Sequence, residues 1–186
     1  MTESFTNSIR IHKVVYGTSV DGPGLRTSVY GAGCEHHCAG CHNQQTWDPS
    51  GGQSYAIDRL ANEIVAEEMD VTFSGGDPMF QALAFAKLAK AIKERSTANI
   101  WCYTGYTIEQ VIKSPLHRWL LDQVDVLVDG PFVEAKKDST LLFRGSANQR
   151  IIDVKATYKK GEVVLWHQHY CDYADSFGRQ AVSSEV

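Results

Sequence analysis

Three of the five cysteines fall within eight residues, spaced Cys34-x-x-x-Cys38-x-x-Cys41. Thiolates are soft ligands, and soft ligands select zinc, copper(I) or iron–sulfur clusters. Three ligands leave one metal position open, whereas a structural zinc site closes with four. His36, His37 and His42 stand among the cysteines and are able to close such a site. Cys38-Ala39-Gly40-Cys41-His42 also spells the attachment motif of a c-type haem, though that reading leaves Cys34 idle. Ligand softness and the open position favour an iron–sulfur cluster, with zinc and then haem as alternatives. The other cysteines stand apart. Cys102 lies mid-strand and reads as a small hydrophobe. Cys171 follows His167 and His169 and precedes Asp172, so a second metal site there competes with a plain polar and aromatic tail.

Elements must hold these residues in place. Residues 9–16 and 26–30 read as strands, separated by a loop centred on Asp21-Gly22-Pro23-Gly24. Ile57, Leu60, Ala61, Ile64 and Val65 recur at helical spacing. Val71 to Phe73 is a short buried strand stopped by Ser74-Gly75-Gly76-Asp77-Pro78. Phe80, Leu83, Ala84, Leu88, Ala91 and Ile92 mark one face of an amphipathic helix over 80–95. A strand over 100–103, a helix capped by Thr107, a second piece after Pro115 and a strand over 124–128 follow. Residues 151–154 and 162–166 are further strand candidates. Strands alternating with helices predict an α/β fold with a mostly parallel sheet, doubly wound or curled into a full or partial barrel. In such folds chemistry sits at the carboxyl ends of the strands. The cysteine loop, Gly75-Gly76-Asp77, Thr104-Gly105 and Asp129-Gly130 all fall there.

Composition excludes several classes. The chain has 186 residues, 43% hydrophobic and 22% charged, which suits a single domain spanning 1–186. The net charge of −4 argues against nucleic-acid binding through phosphate contacts. No apolar run approaches the roughly 18 residues that span a bilayer, and Met1 to Arg10 lacks the apolar core of a signal peptide. The expectation is a cytoplasmic protein with no membrane partner and with reduced thiols.

The cysteine spacing resembles the cluster motif of radical S-adenosylmethionine (SAM) enzymes. Asp21-Gly22-Pro23-Gly24-Leu25-Arg26 is similar to the lead-in of activating enzymes of glycyl-radical proteins. Residues 74–78, Trp101-Cys102-Tyr103-Thr104-Gly105-Tyr106, 126–130 and Phe143 to Arg150 complete an ordered set. Across roughly residues 8–152 this set resembles the family that activates anaerobic ribonucleoside-triphosphate reductases. The resemblance implies a partial (β/α) barrel of radical SAM type. It implies a [4Fe-4S] cluster on Cys34, Cys38 and Cys41, with SAM chelating the fourth iron. It implies SAM contacts from Gly40, Cys41, His42, Gly75, Gly76 and Asp77. The glycines would let backbone approach the methionine part of SAM, and Asp77 would fix the backbone or orient the amino group. A plain strand-to-helix turn is the alternative for residues 75–78. The implied partners are the glycyl-radical subunit of the reductase and a low-potential electron donor such as flavodoxin. Two features depart from the wider pattern. Gly40 stands where many radical SAM enzymes have an aromatic residue, and His42 stands where tyrosine is expected. Arg144, Asn148, Gln149 and Arg150 form a polar cluster that reads either as a cofactor or partner contact or as a surface turn. Residues 151–186 form a C-terminal extension without a transferred role.

Overall fold

A computed structural model describes residues 7–167. Their strands are β1 (Ser8–Thr18), β2 (Arg26–Gly31), β3 (Gln53–Ala56), β4 (Asp70–Gly75), β5 (Ile100–Tyr103), β6 (Val126–Asp129) and β7 (Arg150–Asp153). Their helices are α1 (Ile57–Val65), α2 (Ala82–Lys93), α3 (Ile108–Lys113), α4 (Pro115–Leu121) and α5 (Val154–Lys160). The strands form one sheet in the order β3-β1-β2-β4-β5-β6-β7. The four central strands β2, β4, β5 and β6 are parallel, while β1, β3 and β7 pair antiparallel at the flanks.

This order separates the two architectures that alternation alone allows. A doubly wound sheet reverses its strand order and carries helices on both faces. Here the parallel strands advance in one direction without reversal. Right-handed crossovers then stack successive helices on one face. Accordingly α1 packs on α2, α2 on α4, and α3 on α4 as one layer. The result is a segment of a (β/α) barrel, open at β3 and β7.

The layer is held by one core. Leu60 and Ile64 of α1 and Phe85, Leu88 and Ile92 of α2 are fully buried against Val29, Val71, Phe73, Ile100, Cys102 and Leu127. Cys102 therefore packs as a hydrophobe, and its burial drives the thiol pKa far up. Ser114 divides the stretch 107–121 into two helices. It ends α3, and its hydroxyl accepts from the His117 amide 3.3 Å away to start α4, with Pro115 at the first helical position.

Four local expectations shift. β3 has no apolar alternation, because it is a largely exposed edge strand, and no strand was expected there. The helix expected over 80–95 begins with a 3-10 turn, Pro78–Gln81, which leaves Phe80 partly exposed with its ring over Gly33 instead of in the core. Val124 and Asp125 precede β6, and Asp125 is drawn off by bonds to the Ile100 amide and to Lys93 and Lys155. Residues 162–166 contribute a single bridge, Ile152 to Leu165, because α5 and its Gly161 cap intervene. Val164 and Trp166 still tie that segment to Asp153 and Ile151. The proposed ligands His169, Cys171 and Asp172 lie outside the described residues.

Candidate iron–sulfur and ligand site

β2 and β4 run parallel in register from Arg26 opposite Asp70 to Gly31 opposite Gly75. The cysteine loop and residues 75–77 therefore leave the sheet side by side. The two loops then touch through backbone. The Gly76 amide donates to the Gly31 carbonyl at 2.9 Å, and the Asp77 amide to the Gly33 carbonyl at 2.8 Å. A Cβ at Gly75 would lie 2.6 Å from the Gly31 nitrogen, and one at Gly76 would lie 2.3 Å from the Gly33 oxygen. Glycine is required at both positions because the backbones approach so closely. The structure thus gives these glycines a first duty within the protein: they seat the root of the cysteine loop.

The three thiols are half-buried and reduced. Burial raises the pKa of Cys34 and Cys38, and amide groups oppose it. The amides of His36 and His37 act on Cys34, and that of Phe132 on Cys38. The Asn43 amide donates to Cys41 Sγ at 3.4 Å. Amide donors around partly buried thiolates are the means by which proteins set iron–sulfur potentials. Among the described residues, no three His, Cys, Asp or Glu side chains gather as ligands of a single ion. The histidines that were to close a zinc site turn to three other rings. His36 packs on Tyr106, His37 on Trp47 and His42 toward Phe132.

Asp77 is buried and central to the site. Its Oδ1 accepts from the Met79 amide, starting the 3-10 turn. Its Oδ2 accepts from Thr104 Oγ1 at 2.9 Å and from the Gly105 amide at 2.9 Å, and bonds His36 Nε2 at 2.8 Å. One carboxylate thus joins the loops that follow β2, β4 and β5. This hydrogen bond is also the main cause of the raised pKa of His36.

A cavity of about 460 Å³ opens on the face of the sheet that the helices leave free. Cys41, His42, Ser74, Tyr103, Phe132 and Arg144 contribute to its wall. Its size lies within the ordinary range of small-molecule pockets. His42 and Cys41 therefore meet the cavity directly, whereas Gly75, Gly76 and Asp77 are committed to protein contacts. Gly40 has φ 72°, and a Cβ there would press on Glu134 and Phe132, which explains why no aromatic residue stands at this position. Within the polar cluster, Gln149 accepts from Gly145 and Ser146 and donates to Gly130, and Asn148 donates to Pro131. Those residues chiefly shape their own turn. Arg144 reaches the cavity, and its buried Nε has no hydrogen-bond partner among the described residues. The sequence offered no sign of the roles of His36, Tyr106 or Phe132, because spacing does not say where a ring turns.

A family model described as a 4Fe-4S single cluster domain matches residues 20–152. The anaerobic ribonucleoside-triphosphate reductase-activating protein of Vibrio cholerae is 40% identical over 142 residues, covering 71% of this chain and 90% of its own length. The chain belongs to the family of anaerobic ribonucleoside-triphosphate reductase-activating proteins. The Escherichia coli K12 member is 34% identical, covering 70% of this chain and 89% of its own. The enterobacteria phage T4 member is 33% identical, covering 71% and 86%. Among solved structures, QueE from Escherichia coli is a remote likeness, with TM-score 0.45 and 16% identity over 54% of this chain and 53% of its own. As a member of the activating-protein family, the chain carries an iron–sulfur domain at residues 20–152. Among the described residues of this family member, no helix is long and apolar enough to cross a membrane.

Proposed function

We propose that this activating enzyme binds a [4Fe-4S] cluster through Cys34, Cys38 and Cys41, cleaves SAM reductively, and generates a glycyl radical on an anaerobic ribonucleoside-triphosphate reductase. One observation carries the reading: three half-buried thiols with amide donors follow a parallel strand, and Cys41 among them lines a cavity of about 460 Å³. The family membership supports the choice of reaction and of protein partner. When held by Cys34, Cys38 and Cys41, the cluster would supply the one electron needed to cleave SAM to methionine and a 5′-deoxyadenosyl radical, which would leave as 5′-deoxyadenosine on taking a hydrogen atom from one glycine. The electron comes from a low-potential donor of the flavodoxin kind.

The chain's own residues bind and orient. Gly75, Gly76 and Asp77 hold the cysteine loop against the sheet, and the methionine part of SAM would bind near them. His42, beside Cys41 on the cavity wall, would contact the adenine. Gly40 keeps the loop tight enough for Cys41 to face the cavity. Tyr103 and Phe143 give the cavity an apolar side that excludes water around the radical.

The test is reductive SAM cleavage. The protein is loaded anaerobically with iron and sulfide, given SAM and dithionite, and assayed for 5′-deoxyadenosine with and without the reductase. Product from wild type and none from Cys41→Ala is the expected result. A loaded cluster that yields no product even with the reductase present would sink the proposal.

A further inference from the structure

His36 lies between Cys34 and Cys38 in the chain, and its side chain is mostly turned from solvent. Its Nε2 is 2.8 Å from Asp77 Oδ2, and its ring meets Tyr106 edge-on at 4.4 Å. On another side Gly105 makes room: a Cβ there would come within 2.4 Å of the ring. The pocket for this imidazole is thus made by the loops after β4 and β5, while the imidazole belongs to the loop after β2. Backbone bonds from Gly33 to Thr46 and from Cys34 to Trp47 hold the two ends of the cysteine loop. Between them, His36 is the side chain that reaches across to the Asp77 hub.

We propose that His36 is a positioning residue, whose ring, keyed between Asp77, Gly105 and Tyr106, sets where the three thiolates stand relative to residues 75–77. The consequence for SAM rests on the whole function proposed above, and the consequence for iron rests only on its cluster ligands. Residues that orient metal ligands from behind typically affect metal affinity or activity by 10–100-fold when replaced.

The experiment compares cluster-loaded wild type with His36→Ala, His36→Gln and Gly105→Ala. Two quantities are read: the rate of iron release to a chelator, and SAM affinity from the change it causes in the electron paramagnetic resonance spectrum of the reduced cluster. Thermal melting of each variant reports any general loss of stability. His36→Ala is expected to release iron about tenfold faster and to bind SAM about tenfold more weakly. Gly105→Ala, which leaves the cysteine loop unaltered in sequence, is expected to do the same by ejecting the ring. His36→Gln, whose amide donates to Asp77 from a similar position, is expected to stay within about threefold of wild type. A merely structural histidine would lower the melting temperature and leave both readouts of the folded protein unchanged. That result, or equal impairment of the Gln and Ala variants, overturns the proposal. If wild type shows no SAM-dependent change, the SAM reading fails while iron release still decides the role of His36.

Discussion

The central strands present two unlike faces. Toward the helices they show Val29, Val71, Phe73, Ile100, Cys102 and Leu127, packed in the main core. Toward the cavity they show Arg26, Ser28, Tyr30, Thr72, Ser74 and Tyr103. The polar bonds of that second face run sideways along the sheet. Arg26 Nε donates to Thr72 Oγ1 at 2.7 Å, Arg26 NH2 donates to the carbonyls of Val71 and Asn99, and Tyr30 donates to Asp21. Burial and the Asp21 carboxylate together push the Tyr30 phenol well above its ordinary pKa. One face is fastened by exclusion of water, and the other joins directed bonds on β2 and β4 to a smaller apolar cluster of Trp101, Val126 and Val128. The difference teaches that alternate residues of the same strand are under different physical demands, so the site is built without thinning the core.

Substitutions can break or sharpen that contrast. Phe73→Ala opens a void in the helix-covered face and is expected to cost about 3–5 kcal/mol in denaturant unfolding, while protein that remains folded takes up the same iron. Arg26→Ala tests the other face. It strands the carbonyls of Val71 and Asn99 and is expected to cost about 2–3 kcal/mol. A large loss of stability there would show that the cavity face is structural as well as chemical. Thiol alkylation of the cluster-free protein gives a direct reading of the two environments. Cys34, Cys38 and Cys41 are expected to react in the native state and Cys102 only on unfolding, as peptide mass mapping would reveal.

The smallest effect is a pH dependence far from both faces. Arg150 grips Glu109 through two bonds of 3.0 and 2.9 Å and holds its carboxyl down to about 2 from the usual 4.5. The folded state therefore favours the carboxylate. The stabilisation is complete above about pH 4.5 and is lost as pH falls toward about 2. The pair is largely exposed, so the difference is expected to be below about 1 kcal/mol. Glu109→Gln should remove it from the urea midpoints compared at pH 6 and pH 3.

What the sequence made legible follows the same division. Residues whose job is burial announced themselves by period: Leu60 and Ile64 on α1, Leu88 and Ile92 on α2, and Val71 and Phe73 in β4. The cysteines announced themselves by spacing. What stayed hidden was side-chain direction. His36 is one of three histidines near the thiols, and nothing in its position says that Asp77, forty-one residues on, receives it. Gly75 and Gly76 were readable as a turn or as a ligand approach, but their contact with the root of the cysteine loop appears only when β2 and β4 lie in register. β3 was invisible because an exposed edge strand such as Gln53–Ala56 needs no apolar alternation.

Asp77, Gly105 and Phe132, against which the cysteine loop closes, all follow it in the chain, with Phe132 the last of the three. A polypeptide emerging from the ribosome exposes Cys34, Cys38 and Cys41 long before any of those walls exists. The finished seat for metal thus arises only after the chain through Phe132 has emerged, and cofactor delivery belongs to a chain made at least that far.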